Sequence, residues 1–301
     1  MFILLALLVG CPAPKDTGDP SDTDLETGDS TETQETGETG DTEPEGCEAD
    51  GDGRISWSEF LADPTLGITA LYQVNQPGTE VEVPDLAGED QGDGTFAWDF
   101  TAPTDEDDTW SVTIRTLEGT WFADSFPDAT YYVGLDASDT TWGIYKVDDA
   151  QERLFLLGLA SAQEGESLLM YDEPVVVFEF PVADGKSWSS DAVEARGLYE
   201  GTEYPADFGL AGTVHLYHTY RFEVDGTGSL SVPMGTFDVL RLRLYQEMSA
   251  DNSLYGNVDT ISQYAYFYLA ECTGLVARVR SRDDERSPDF QVATEYLRLG
   301  F

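Results

Sequence analysis

The stretch "CEADGDGRISWSEF", residues 47 to 60, places oxygen-bearing side chains at close intervals: Glu48, Asp50, Asp52, Ser56 and Glu59, with glycines at 51 and 53. Carboxylates, hydroxyls and backbone carbonyls at this density are the donor set of a hard divalent cation, since Ca2+ gathers about six to eight oxygens. Other chemistry is thinly represented. The only histidines are His215 and His218. On a strand they point to opposite faces, and His218 falls on the apolar one as a core residue. There is no HExxH, no GxSxG and no phosphate-gripping glycine loop followed by Lys-Ser/Thr. A two-carboxylate glycoside hydrolase needs only two acids at a set separation, so abundant Asp and Glu keep that reading open without singling out a residue. No catalytic residue is assigned.

With Gly53 set at position six of a twelve-residue loop, Glu48 falls at one, Asp50 at three and Asp52 at five. Arg54 falls at seven, where its backbone carbonyl ligates, Ser56 at nine and Glu59 at twelve. Ile55 takes the small apolar position eight, and Phe60 and Leu61 open an apolar helix face. The stretch resembles the EF-hand calcium loop with its exiting helix. The resemblance implies a Ca2+ site at Glu48, Asp50, Asp52, Arg54, Ser56 and Glu59, in the weak extracellular class of about 10⁻⁴ to 10⁻³ M. Two features depart from the pattern. Position one is Glu rather than Asp, and no helix enters the loop, so this is a half-site; the exiting helix also meets Pro64. Read structurally, the same residues are an Asp-Gly turn ahead of a capping box, "SWSE". A near match at "EDQGDGTFAWDF", residues 89 to 100, puts Phe100 where the last carboxylate belongs, and reads as a hairpin turn.

The chain of 301 residues carries 59 Asp and Glu against 15 Lys and Arg, a formal charge of -44. Such a surface repels nucleic acid and anionic lipid and attracts divalent cations. Residues 1 to 10, "MFILLALLVG", are too short to span a bilayer, which needs roughly 20 residues, and fit a signal-peptide apolar region. "LVGC", Leu8 to Cys11, resembles the bacterial lipobox, although no Lys or Arg precedes the apolar run. The resemblance implies cleavage before Cys11, lipidation of Cys11 and attachment to the cell envelope. Pro12, rather than Asp, after the cysteine points to the outer membrane, facing the periplasm or the exterior. Residues 11 to 46 then form an acidic Thr/Gly/Asp/Glu linker, expected to be disordered because it holds almost no large apolar side chain. A flexible chain of about 35 residues spans roughly 30 to 35 Å, enough to hold a domain off a membrane.

With Cys11 lipidated, Cys47 and Cys272 remain. Outside the cytoplasm such a pair is expected to be bridged, which would staple the acidic loop to the rest of the chain; two free thiols are the alternative.

The acidic loop must be positioned by the larger part of the chain. The organisation expected is an EF-hand-like element over 47 to 65 and one antiparallel β domain over 66 to 301. In "TVHLYHTYRFEVDG", Val214, Leu216, Tyr220, Phe222 and Val224 share one face, and Thr213, His215, Tyr217, Arg221 and Glu223 the other. In "GTFDVLRLRLYQEMS", Leu240, Leu242 and Leu244 point inward with Arg241 and Arg243 outward. The fold class expected is mainly β, a single large antiparallel domain of half-barrel or sandwich type. "FEFPVADGKSW" (178 to 188), "VDGTGSLSVPMGTFDVLRLR" (224 to 243) and "YFYLAECTGLVARVRS" (266 to 281) resemble segments of secreted bacterial proteins with the half-barrel architecture of the LolA/LolB lipoprotein carriers. That resemblance implies a fold, and a carrier-like apolar ligand only by analogy. Trp110, Trp121, Trp142 and Trp188 could line a sugar or lipid groove, or fill a β core. The function expected is that of a monomeric, non-catalytic, calcium-binding envelope lipoprotein that displays a β domain off the membrane. Its partners would be that membrane, no nucleic acid, and an unidentified apolar or carbohydrate ligand.

Overall fold

The structure is a computed structural model and describes residues 47, 49 to 60, 69 to 104 and 107 to 300. Cys11, the linker, Glu48 and Pro64 lie outside the described residues. The described residues open with a short strand β1 (Arg54–Ile55) and a one-turn helix α1 (Trp57–Phe60). Strands β2 (Thr69–Asn75), β3 (Val81–Glu82), β4 (Glu89–Asp90), β5 (Phe96–Asp99), β6 (Asp107–Thr113) and β7 (Tyr131–Gly134) come next. Then come β8 (Thr141–Asp148), β9 (Arg153–Ser161), β10 (Leu168–Glu179), β11 (Val182–Ala183), β12 (Ser187–Tyr199), β13 (Thr202–Tyr204) and β14 (Ala206–Asp207). The longest strands lie toward the end of the chain, which closes with β15 (Thr213–Val232), β16 (Gly235–Asn252), β17 (Gly256–Ala270), β18 (Gly274–Ser281) and β19 (Val292–Leu299).

The molecule is mainly β, and its large antiparallel sheet curls into a nearly closed barrel. Neighbours run β9, β10, β12, β15, β16, β17, β18, β19, β2 and β6. Past β6 the circuit returns through β7 and β8 to β9. The seam between β6 and β7 is a single bridge, Arg115 to Tyr132, made by two backbone hydrogen bonds of 3.0 and 2.9 Å. The sheet thus goes further round than a half-barrel. One pairing is parallel, β5 against the far part of β15.

Period-two alternation produces this sheet directly. On β15, Leu216, His218, Tyr220, Phe222 and Val224 are buried, while Arg221 and Glu223 are exposed. Elsewhere the outer face is covered too. On β18 nearly every residue is buried. Arg241, which alternation sends outward, is buried beneath the segment around Leu86 and Trp98. Its guanidinium lies 2.7 Å from Asp225 and 5.4 Å from the Trp98 ring centroid. A second layer, β3 to β5, therefore turns an outer face into an interior one.

The barrel is filled with large side chains: Tyr72, Tyr131, Tyr145, Phe222 and Phe267 are all at most 2 % exposed. Among them sits an ion pair, Arg278 with Glu295, both buried. Arg278 also donates to the Leu135 carbonyl at 3.2 Å and stacks 5.5 Å over Trp110. A buried pair is expensive to desolvate, and removing one partner strands the other. Arg278→Met should therefore cost about 3 kcal/mol, with Arg280, 3.6 Å from Glu295, softening the loss. Arg278→Met with Glu295→Leu should recover most of it. Urea unfolding of the two variants checks this.

The strand ends define two poles. β17 runs 15 residues, roughly 50 Å, from the Leu254–Tyr255 turn to the turn that holds Cys272. The acidic loop sits at the Cys272 pole.

Candidate metal centre

Residues 49 to 60 fold as a loop that plugs one end of the barrel. Asp50 Oδ1 accepts the Asp52 N–H at 2.9 Å, and Asp52 Oδ1 accepts the Arg54 N–H at 2.8 Å. Each is an Asx-type turn, in which a short acidic side chain substitutes for a backbone acceptor. Gly53 sits at φ 74°, in the left-handed region open to glycine. Ile55 then pairs with Val182 as β1 meets β11. This pairing ties the loop to the barrel.

The helix beyond the loop is held by its apolar side. Phe60 and Ile55 are buried, and Phe60 lies 4.9 and 4.8 Å from the rings of Phe178 and Phe180. Trp57 packs edge-on against Phe180, and its indole N–H donates to Asp149. At the helix end the Glu59 carbonyl accepts the Cys272 N–H at 3.0 Å. Cys47 and Cys272 are joined by a disulfide, with their Cα atoms 5.5 Å apart.

This docking brings in a carboxylate that the loop does not contain. Glu271, from the turn between β17 and β18, accepts the Gly51 N–H at 2.9 Å. Ligand-type oxygens of Asp50, Asp52 and Glu271 lie within 4.8 Å of one another. The donor set is all oxygen, which suits Ca2+ or Mg2+ and not the softer metals that prefer nitrogen or sulfur. Three carboxylates so close repel one another through Coulomb's law, and a divalent cation between them would remove that cost.

Glu59 and Ser56, two further expected ligands, make local contacts. Glu59 caps its own helix: Oε2 accepts the Ser56 N–H at 2.8 Å, the reciprocal half of a capping box. The Ser56 hydroxyl faces that of Ser58 at 3.1 Å. Burial pushes the Glu59 carboxyl up, but hydrogen bonds from Ser56 and from the Asp50 N–H outweigh it and hold the group below the usual range. Its share of stability is present above the ordinary carboxylate value of about 4.3 and is lost as pH falls through the depressed one. The Ser56 amide resonance should accordingly titrate at a pH below about 4.3; a midpoint above it would contradict the cap.

Glu271 is the residue that motif spacing misses, because it stands 220 positions away in sequence. The signal lay in its neighbour. If Cys272 bonds Cys47, the residue before Cys272 must land beside the residues after Cys47.

The remaining candidates are dispersed. His215 bonds Glu194 at 2.7 Å on the outer face, and His218 points into the barrel. Trp110 is buried under Arg278. Trp121 and Trp142 pack around Phe122 in a separate small cluster. Trp188 stacks on Phe222 at 5.2 Å and lines an open groove of about 940 Å³ that also holds Glu223 and Glu285. Glu223 is engaged by Arg243. The segment 89 to 100 forms a hairpin, with Asp90 opposite Phe96. No protein-family model, curated protein or solved structure matches the chain.

Proposed function

We propose that Asp50, Asp52 and Glu271 bind one Ca2+, and that the ion clamps the N-terminal segment onto the base of the barrel. The observation that carries this reading is Glu271: a carboxylate from the barrel completes a cluster begun by the loop, so one ion would bridge the two. Backbone carbonyls, Glu48 and water would supply further oxygens. The EF-hand resemblance supports the same cation, and we read Glu59 as the helix cap, from its bond to the Ser56 N–H. In the wider reading the protein is a non-catalytic envelope lipoprotein. Cys11 carries the lipid, residues 12 to 46 form the spacer, and the calcium clamp with the disulfide fixes where the spacer ends and the rigid domain begins.

Calorimetric titration of the full chain tests this. One Ca2+ per chain is expected, with Kd of about 10⁻⁴ to 10⁻³ M. Unfolding in 10 mM Ca2+ should then be about 1.4 to 2.7 kcal/mol less favourable than in chelator. Glu271→Gln and Asp52→Asn should each weaken binding at least tenfold. Binding that is indifferent to Glu271→Gln would refute the bridge, and absence of any calcium heat would refute the site.

A further inference from the structure

The pole opposite the disulfide carries a different feature. There, the ends of β8, β9, β10 and β12 surround a cavity of about 540 Å³. Leu159 and Leu169, both buried, make its floor, and the Tyr199 ring makes one side. The polar atoms of its wall are largely consumed by one another. The Ser161 hydroxyl donates to the Gln163 carbonyl at 2.6 Å and accepts the Ser167 N–H at 3.0 Å. The Ser167 hydroxyl accepts the Glu200 N–H at 3.0 Å, and the Glu166 carbonyl accepts the Gly201 N–H at 2.9 Å. Thr141 also lines the wall, 8 % exposed, and its hydroxyl oxygen is buried without a partner.

Such a wall offers apolar surface with little spare hydrogen bonding, at a volume ordinary for a small-molecule site at a barrel mouth. The charged residues lining it are Glu166 and Glu200, both exposed, and no Lys or Arg is among its described lining residues. In a chain of net charge -44 an anionic headgroup would be repelled here and a cationic one attracted.

A second, independent observation falls at the same pole. Of the eight large apolar side chains that are exposed among the described residues, five are Phe208, Leu210, Leu254, Tyr255 and Val258. Phe208 and Leu210 stand on one loop and Leu254 and Tyr255 on another, with Val258 at the start of β17; the two loops are tied together by Asn252 to the Ala211 carbonyl at 3.0 Å and by Ser253 N–H to the Thr213 carbonyl at 2.8 Å. Exposed apolar clusters of this kind mark contact with apolar matter.

We propose that this mouth binds the apolar part of a small cationic amphiphile, with its headgroup at Glu166 and Glu200 and its tail against Leu159, Leu169 and Tyr199. The site is separate from the calcium clamp and stands or falls without it.

The full chain is titrated with the neutral fluorophore N-phenyl-1-naphthylamine, then competed with decylammonium and decanoate. Saturable fluorophore binding is expected, displaced by decylammonium at least tenfold more effectively than by decanoate. Thr140→Trp, which places a bulky ring at the rim, should weaken fluorophore binding at least tenfold. Glu166→Lys with Glu200→Lys should retain the fluorophore and reverse the order of the two competitors. Absence of saturable binding, or binding unaffected by Thr140→Trp, would overturn the site. Equal ranking of the two amphiphiles in both the wild-type and the charge-reversed chain would overturn the headgroup assignment.

Discussion

Replacing Cys47 and Cys272 together by serine should lower the unfolding free energy by about 5 kcal/mol, the largest single loss expected in this protein. The bridge joins residues 225 apart, so in the chain-entropy account it removes a very large closed loop from the freedom of the unfolded chain. The folded state would lose little else directly, because Ile55, Trp57 and Phe60 still have their apolar partners. The loss should therefore be accompanied by local release rather than collapse. Amide exchange over residues 49 to 60 should accelerate strongly, while β15 to β18 keep their protection. Urea unfolding and hydrogen exchange measure the two parts. A loss below about 1 kcal/mol with unchanged exchange would mean that the plug holds by packing alone.

The second large effect is a dependence on pH that comes from one histidine. His218 is 2 % exposed, and burial drives its imidazole down to about 3. The unfolded chain keeps the ordinary value near 6.5. Between those values the unfolded state takes up a proton that the folded state refuses, so stability falls as pH falls from about 6.5 toward 3, by up to ~1.4 kcal/mol per pH unit. The cumulative effect is on the order of 4 to 5 kcal/mol. The groups facing the ring do not rescue it. Tyr171 lies 2.9 Å from Nδ1 and Tyr220 3.2 Å, and burial holds both phenols protonated, well above their ordinary range. Nε2 has no partner. Urea titrations at pH 7, 5 and 4 should show the wild type losing more stability than His218→Gln across that range. Parallel losses would assign the acid sensitivity to the carboxylates instead.

Much of the barrel was legible because alternation is a local property. The β15 pattern names the buried Leu216, Tyr220, Phe222 and Val224, and His218 falls among them because it sits at an apolar position. Closure was not legible. It rests on the Arg115–Tyr132 bridge between two segments that nothing in the sequence marks as neighbours. Arg241 shows a related blindness: alternation says which face a residue takes but not whether a second layer, here the segment around Leu86 and Trp98, covers that face.

At the loop, spacing put Asp50 and Asp52 in one proposed ligand set, and the structure brings their carboxylates together because turns of Asp and Gly are written into consecutive residues. Spacing also assigned Glu59 to a ligand position, and the structure shows the same residue in a capping box. The two roles ask for the same residue at the same place, three beyond Ser56, and only the surroundings decide between them. Glu271 needed tertiary structure.

The most direct test is anomalous diffraction from crystals of the full chain grown with calcium chloride. A peak is expected at the Cys272 pole, with oxygens of Asp50, Asp52 and Glu271 about 2.3 to 2.6 Å from it. Crystals with that site empty, or with calcium bound to the loop while Glu271 turns away, would contradict the clamp.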